Sequence, residues 1–272
     1  MTEPDVHELR KRSAERKLLR PRGPELPYVS DLAGPRGLVV RHYRPAEERR
    51  PLVVFLHGGA WVMCDLDTHD RICRRLASAC GVEVMAVDYR LAPEHPYPAA
   101  VEDAVDVIRW ARPVAVAGDS AGGYLATMAC LSLRDAGEPL PAAQILIQPN
   151  TDLTLSMPSV KEKGSGYALD EDFLAWAARQ WAPDPEQRAD PRLSPMAVAD
   201  LGGMPATLIV TAEHDALRDE GEAYARRLAE AGVPVTRRRE PGLTHGFTQN
   251  ADPDSEAATT RLFADIRALL AR

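Results

Sequence analysis

The sequence lacks the features that would place the chain in a membrane or on a nucleic acid. No apolar run approaches the roughly 18 residues that a transmembrane helix requires. There is no long basic block and the net charge is -7, which argues against nucleic acid as a partner. The polar N-terminus also has no apolar stretch typical of a signal peptide. We therefore expect a cytoplasmic protein with no stable membrane association.

Cysteine is scarce, and its positions follow no metal-binding pattern. The residues, which show neither C-x-x-C nor zinc-type spacing, are Cys64, Cys73, Cys80 and Cys130. We expect reduced thiols, and the sequence implies no metal and no organic cofactor. Internal repeats and low-complexity tracts are lacking as well. What is present is 272 residues, 45% of them hydrophobic, which suits one α/β domain with a large core.

From residue 38 onward, apolar runs of strand length alternate with helical patterns. The predicted strands are 38–43, 52–56, 82–87, 114–117, 144–148, 207–211 and 235–239. The predicted helices are 68–79, 99–110, 124–134, 170–181, 220–231 and 257–271. A polar turn separates the first two strands, which are predicted to form a hairpin at the sheet edge. The alternation predicts an α/β fold with a mostly parallel central sheet and helices on both faces.

Two segments depart from this alternation. Residues 1–30 are a charged helical piece and a proline-rich connector, which we interpret as a short N-terminal cap segment. Residues 31–272 are then the main domain. Within that domain, residues 151–201 are polar and proline-rich and carry one amphipathic helix. An insertion of this kind is a candidate cap over a site.

One stretch combines a strand, a tight turn and a helix around a serine. Residues 114–124 read V-A-V-A-G-D-S-A-G-G-Y. In this setting, G-x-S-x-G is typical of a nucleophile elbow, a strained turn that presents the Ser120 hydroxyl at the edge of a sheet. Gly118 and Gly122 are expected where any side chain would clash with a neighbouring element. The stretch therefore predicts a nucleophilic serine.

A nucleophilic serine needs a base and a group that orients that base, and candidates for both follow in the chain. Asp215 comes after a predicted strand, and His245 lies in a glycine-bearing loop after the last strand. The order Ser, acid, His is the one that this elbow requires. Glu213 is the alternative acid, and Asp219 is expected to cap the next helix. We predict a triad of Ser120, His245 and Asp215.

Backbone N–H groups that could hold an oxyanion are expected in two places. One is the N–H of Ala121, the residue after the nucleophile. The others belong to Gly58 and Gly59 in the stretch H-G-G-A-W, where glycine lets the backbone turn its N–H groups toward a substrate. His57 in the same stretch is expected to support the scaffold rather than the chemistry.

Together these motifs resemble the hormone-sensitive-lipase-like esterases, the bacterial family IV carboxylesterases of the α/β-hydrolase fold. The resemblance rests on H-G-G-A-W, D-Y-R-L-A-P-E-H-P-Y-P-A-A, G-D-S-A-G-G, D-A-L-R-D-E-G and H-G-F, in order from about Val40 to Phe247. It implies Ser120 as nucleophile, Asp215 as acid and His245 as base, and the same oxyanion donors. Within the family, the pattern is similar to actinobacterial acetyl hydrolases.

Departures from that family bear on the pocket. The usual H-G-G-G is H-G-G-A here, so the N–H of Ala60 can serve only if alanine adopts the glycine conformation. Cys64 stands where glycine is common, and Tyr124 where asparagine is common. The segment before residue 40 is short for the family, which implies a more open site. The candidates for lining the pocket are Trp61, Cys64, Tyr124 and Phe247. For Cys64 we favour a buried spectator thiol over a place at the mouth of the pocket.

The expected function is hydrolysis of short-chain, acetyl-type esters through an acyl-enzyme. The partner is then a small-molecule ester. The resemblance also suggests a homodimer formed through the sheet edge or the last helix, but we expect the last helix to pack on its own sheet instead. One alternative is an N-acetyl or O-acetyl hydrolase of a secondary-metabolite intermediate. A second is a non-catalytic small-molecule receptor, against which the presence of His245 argues.

Overall fold

A single eight-stranded sheet organises the residues described by the computed structural model, which are 3–271 without the side chain of Lys17. The strands, β1 to β8 in chain order, are Tyr28–Ala33, Val39–Arg44, Leu52–Leu56, Glu83–Val87, Ala115–Asp119, Ala143–Ile147, Ala206–His214 and Val235–Thr244. Their order across the sheet is β1-β2-β4-β3-β5-β6-β7-β8. Strands β3 to β8 are parallel, while β1 and β2 are antiparallel additions at one edge.

Helices cover both faces of the sheet. Numbered α1 to α8, they are Val6–Leu18, Asp70–Cys80, Ala99–Ala111, Ala121–Asp135, Pro158–Lys163, Glu171–Trp181, Arg218–Glu230 and Pro253–Leu270. Helices α3, α4 and α7 pack on one face and α2 and α8 on the other, each side with its own apolar core. The expected architecture, a mostly parallel sheet between two helical layers, is confirmed. No helix within residues 3–271 is long and apolar enough to cross a bilayer.

The antiparallel edge differs from the prediction in two ways. Strand β1 was not predicted, because its short sequence YVSDLA follows a proline-rich connector and shows no regular alternation of apolar and polar residues. The predicted hairpin of β2 and β3 is wrong, because β4 lies between them and pairs with both. Strand β4 is almost wholly buried, so a neighbour on each side satisfies its backbone groups. The polar turn at residues 45–51 is therefore a crossover connection.

The carboxyl ends of β5 to β8 lie side by side, and this places the site. Strand β7 runs on to His214 and β8 to Thr244, beyond the predicted ends at residues 211 and 239. A bulge between Ala212 and His214 keeps the two strands paired in this extension. The residues that follow β5, β6, β7 and β8 therefore meet at one edge of the sheet.

The insertion between β6 and β7 carries α5 and α6. Helix α6 begins where expected, with Asp170 accepting a hydrogen bond from the N–H of Phe173 at 2.8 Å. Its apolar side is buried, with Trp176 and Trp181 both nearly inaccessible. The insertion is thus attached to the main core rather than separate from it.

Candidate active site

Ser120 occupies a strained turn between β5 and α4. Its backbone has φ 55° and ψ -120°, a conformation that L-residues avoid. A Cβ on Gly118 would lie 2.2 Å from the carbonyl oxygen of Gly122, and one on Gly122 would lie 1.9 Å from that of Leu56. Only glycine fits at these two positions, as the elbow motif predicts.

The three residues expected to form a triad lie in one chain of hydrogen bonds. Ser120 Oγ is 3.0 Å from His245 Nε2, and His245 Nδ1 is 2.9 Å from Asp215 Oδ2. Asp215 is 1% exposed, so its carboxylate needs donors from the protein. Oδ1 accepts from the N–H of Leu217 at 2.9 Å, and Oδ2 also accepts from Gln148 Nε2 at 2.9 Å.

The two alternative acids point elsewhere. Glu213 lies within β7, and its carboxylate accepts from the N–H of Gly242 at 2.7 Å. Asp219 accepts from the N–H of Ser159 at 2.9 Å and lies in the first turn of α7. The predicted capping role of Asp219 is wrong, because α7 begins one residue before it and has Leu217 at the capping position.

The charge of Asp215 sets the basicity of His245. Burial lowers the pKa of His245, but the Asp215 carboxylate raises it both by its charge and by its hydrogen bond. The net result is a pKa above the ordinary value of histidine. The imidazolium form is thus stabilised, as a residue that takes a proton from a serine requires.

The loop after β3 presents its N–H groups differently from the expectation. The N–H of Gly58 donates to Asp119 Oδ1 at 3.0 Å, so it is turned away from an oxyanion role. Gly59 has φ +125°, and a Cβ there would lie 2.1 Å from the carbonyl oxygen of Met63. Ala60 does adopt a left-handed conformation, with φ +54°. Within residues 3–271, no hydrogen bond uses the N–H of Gly59, Ala60 or Ala121.

A second histidine–aspartate pair supports this loop. His69 Nε2 is 3.3 Å from Asp119 Oδ2, and both side chains are buried. Burial alone would raise the pKa of Asp119, but the His69 ring and the N–H of Gly58 hold it below its ordinary value. His57 stacks on Tyr89 with ring centroids 4.2 Å apart, and burial lowers the pKa of His57 to about 4. His57 is thus a scaffold residue, as expected.

Three of the four pocket candidates are packed into the interior. Trp61 stacks on Trp181 with centroids 5.5 Å apart, and Tyr124 accepts a hydrogen bond from Trp181 Nε1 at 3.3 Å. Phe247 belongs to the core on the α8 side of the sheet. We expected these three rings to line the pocket. Each side chain is instead at least 98% buried, so none of them forms an exposed pocket wall.

Cys64 lies in the loop after β3, where α1 packs against that loop. Its Sγ is 3.3 Å from Ser13 Oγ, and burial raises its pKa to about 11. Arg10 of α1 donates to the carbonyl of Val62 at 2.8 Å and forms two 2.7 Å contacts with Glu94. A cavity of about 410 Å³ lies between these groups. The thiol is therefore protonated and unreactive, and α1 is anchored next to the site.

Sequence reasoning missed Asp119, His69 and Gln148. Each carries a detectable signal, since Asp119 and Gln148 are polar residues at the end of apolar strands that meet at one edge of a parallel sheet. His69 carries a weaker signal, as a histidine at the start of a helix. Within residues 3–271, no group of three His, Cys, Asp or Glu side chains is arranged to hold a metal ion.

Comparison with known proteins gives concordant matches. A family profile described as alpha/beta hydrolase fold matches residues 53–249. The carboxylic ester hydrolase LipN of Mycobacterium tuberculosis is 43% identical over 267 residues, 90% of this chain and 71% of that protein. The ethyl acetate hydrolase of Pseudomonas putida is 41% identical over 236 residues, 81% of this chain and 74% of that protein.

Solved structures agree with the sequence relatives. The hyperthermophilic esterase of the archaeon Pyrobaculum calidifontis superposes with a TM-score of 0.89 at 38% identity, over 97% of this chain and 93% of that one. The resemblance to hormone-sensitive-lipase-like carboxylesterases that the motifs indicate is thereby confirmed.

Proposed function

The chain belongs to the alpha/beta hydrolase fold family, and on that basis we propose that it is a serine carboxylesterase acting on short-chain esters. The observation that carries the proposal is the hydrogen-bonded chain from Ser120 through His245 to Asp215. The names of the relatives, an ethyl acetate hydrolase among them, support the same reaction class.

In the first half-reaction, His245 takes the proton of Ser120 as the serine oxygen attacks the ester carbonyl. Asp215 holds the ring so that Nδ1 carries its proton and Nε2 can accept. The imidazolium then gives its proton to the leaving alcohol, which leaves an acyl group on the Ser120 oxygen. Water enters, His245 takes a proton from it, and the acid is released.

The oxyanion formed at each attack needs donors. We assign this role to the N–H groups of Gly59 and Ala121, with Ala60 as a third, because all three lack a hydrogen-bond partner within residues 3–271. The N–H of Gly58 is excluded from the set by its bond to Asp119. Ala60 takes the glycine-like conformation at a cost of about 1 kcal/mol.

The preference for short acyl groups follows from the packing around the loop. Trp61, Tyr124 and Trp181 pack against one another and fill space that a long acyl chain would need. The apolar residues of α6 in the insertion are largely buried, and α1 is mostly charged, with Leu18 exposed at its end, so neither element offers a broad apolar surface for a lipid tail. Acetyl and butanoyl esters are the substrates that this arrangement favours.

The test is hydrolysis of p-nitrophenyl esters by the wild type, Ser120→Ala and Ser132→Ala. Ser132 is a matched control, because it lies on the same helix α4 and its hydroxyl donates to the carbonyl of Met128 in that helix. We expect Ser120→Ala to lose at least about 10⁴-fold in kcat, and Ser132→Ala to stay within about twofold of wild type. Residual turnover by Ser120→Ala near the wild-type rate would refute the mechanism. A preference for decanoate over acetate would refute the substrate class.

A further inference from the structure

We propose that Gln148 is a positioning residue, which fastens the loop that carries His245 to the carboxylate of Asp215. This inference rests on the proposed function and concerns the same site. It is carried by four hydrogen bonds of one buried residue, which join three elements of the sheet edge.

The backbone of Gln148 is fixed at the point where the three elements meet. Gln148 is the first residue after β6, which lies between the strand of the nucleophile and the strand of the acid. Its N–H donates to the carbonyl of Val210 in β7 at 2.6 Å. Its φ is +47°, a left-handed conformation that is unfavourable for a residue with a long side chain. This turn is therefore held in place by its surroundings.

The side chain of Gln148 contacts the residues on both sides of the histidine. Nε2 donates to Asp215 Oδ2 at 2.9 Å and to the carbonyl of Thr244 at 3.2 Å. Oε1 accepts from the N–H of Gly246 at 2.9 Å. Thr244 and Gly246 flank His245, so one amide group fixes the loop before and after the ring and also the carboxylate that the ring binds.

Glutamine is the residue type that this arrangement requires. The neutral amide offers two hydrogens and one acceptor, and all three are used. The reversed amide would set its NH₂ group against the N–H of Gly246, so the network determines the orientation. A glutamate would place a second carboxylate against Asp215. An apolar side chain would remove one hydrogen bond from each of the Asp215 carboxylate, the Thr244 carbonyl and the Gly246 N–H.

The first test compares Gln148→Met with Gln144→Met. Gln144 is a matched control, because it is a buried glutamine on β6, the strand that Gln148 follows, and its Nε2 donates to Thr207 Oγ1 at 3.0 Å, away from the site. For p-nitrophenyl acetate, we expect Gln148→Met to lose about 10–100-fold in kcat/KM, since a displacement of about 1 Å costs about 10²-fold. Gln144→Met should stay within about threefold of wild type.

The second test separates positioning from a general structural role. The proposed role is to fasten the His245 loop to the Asp215 carboxylate, so removing that carboxylate by Asp215→Asn should remove most of the effect of Gln148→Met. We expect Gln148→Met to cost less than about threefold there, whereas a general structural defect would cost the same factor in both backgrounds. Gln148→Glu provides a second variant of nearly equal volume. It should unfold cooperatively like wild type and lose at least about tenfold in kcat/KM at pH 8.

The inference is overturned if Gln148→Met loses no more kcat/KM than Gln144→Met does. It is also overturned if Gln148→Met causes the same fold-loss in the Asp215→Asn background as in the wild type, or if Gln148→Glu is as active as the wild type. Ser120→Ala is measured in the same assay. Activity that survives in Ser120→Ala defeats the proposed function, whereas an inactive Ser120→Ala with a fully active Gln148→Met defeats only the inference about Gln148.

Discussion

Two histidine–aspartate pairs lie next to Ser120, and they differ in what the second ring nitrogen contacts. In the pair of His245 and Asp215, Nδ1 contacts the carboxylate and Nε2 lies 3.0 Å from Ser120 Oγ. In the pair of His69 and Asp119, Nε2 contacts the carboxylate, and Nδ1 lies 3.1 Å from Thr68 Oγ1.

Both pairs have the same residue types, so residue type alone does not identify a catalytic base. Thr68 Oγ1 donates to the carbonyl of Asp65, so the second chain of hydrogen bonds ends within its own loop. Asp119 in turn holds the N–H of Gly58. The first pair thus leads to the proposed nucleophile, and the second braces the loop to which we assign oxyanion donors.

Making the same substitution in both acids tests this comparison, and the largest effect is expected for Asp215→Asn. The amide can no longer stabilise the imidazolium or select its tautomer. We expect kcat to fall by about 10⁴-fold with the fold intact, measured with p-nitrophenyl acetate and by circular dichroism. A loss of less than about tenfold would contradict the role of Asp215.

The pH dependence of the wild type provides the next largest effect. His245 acts as a base only when neutral, so kcat/KM falls as pH drops through its pKa, by about tenfold per unit. Because the Asp215 charge and hydrogen bond outweigh burial, the midpoint of this acid limb should lie above about pH 6.5.

The variant Asp215→Asn provides the control for that pH profile. With the carboxylate charge removed, burial alone lowers the pKa of His245, so the acid limb of the residual activity should move to lower pH. A midpoint that stays fixed in the variant would show that another group controls the limb.

The smallest effect is expected for Asp119→Asn. The amide oxygen can still accept from the N–H of Gly58, but the charged contact with His69 is lost. We expect kcat/KM to fall by about tenfold and the free energy of unfolding by about 1–3 kcal/mol, measured by urea denaturation. A loss as large as that of Asp215→Asn would mean that the second pair takes part in the chemistry.

The sequence predicted the order of the triad because each member follows a strand in a parallel sheet. The motif around Ser120 specifies the turn, and the order of the chain specifies the neighbouring strands, so His245 and Asp215 had to lie at the same edge. The positions of the parallel strands along the chain could be predicted because each strand is a short apolar run.

The features that the sequence did not predict depend on contacts between segments far apart in the chain, and one sequence does not specify such contacts. The partner of the Gly58 N–H is a carboxylate 61 residues away. The exclusion of the β2–β3 hairpin depends on the burial of β4. The aromatic rings of Trp61 and Tyr124 suggested a pocket wall, but the insertion supplies Trp181 and closes them into the core.

The most direct measurement is covalent labelling by a fluorophosphonate, followed by peptide mass mapping. Nucleophilic attack by the activated serine would displace fluoride and leave a phosphonyl group on the oxygen. We expect one modified residue, Ser120, with labelling in proportion to the loss of esterase activity and none in Ser120→Ala. Labelling at another residue, or a wild type that hydrolyses esters yet resists the reagent, would contradict the role of Ser120 as the nucleophile.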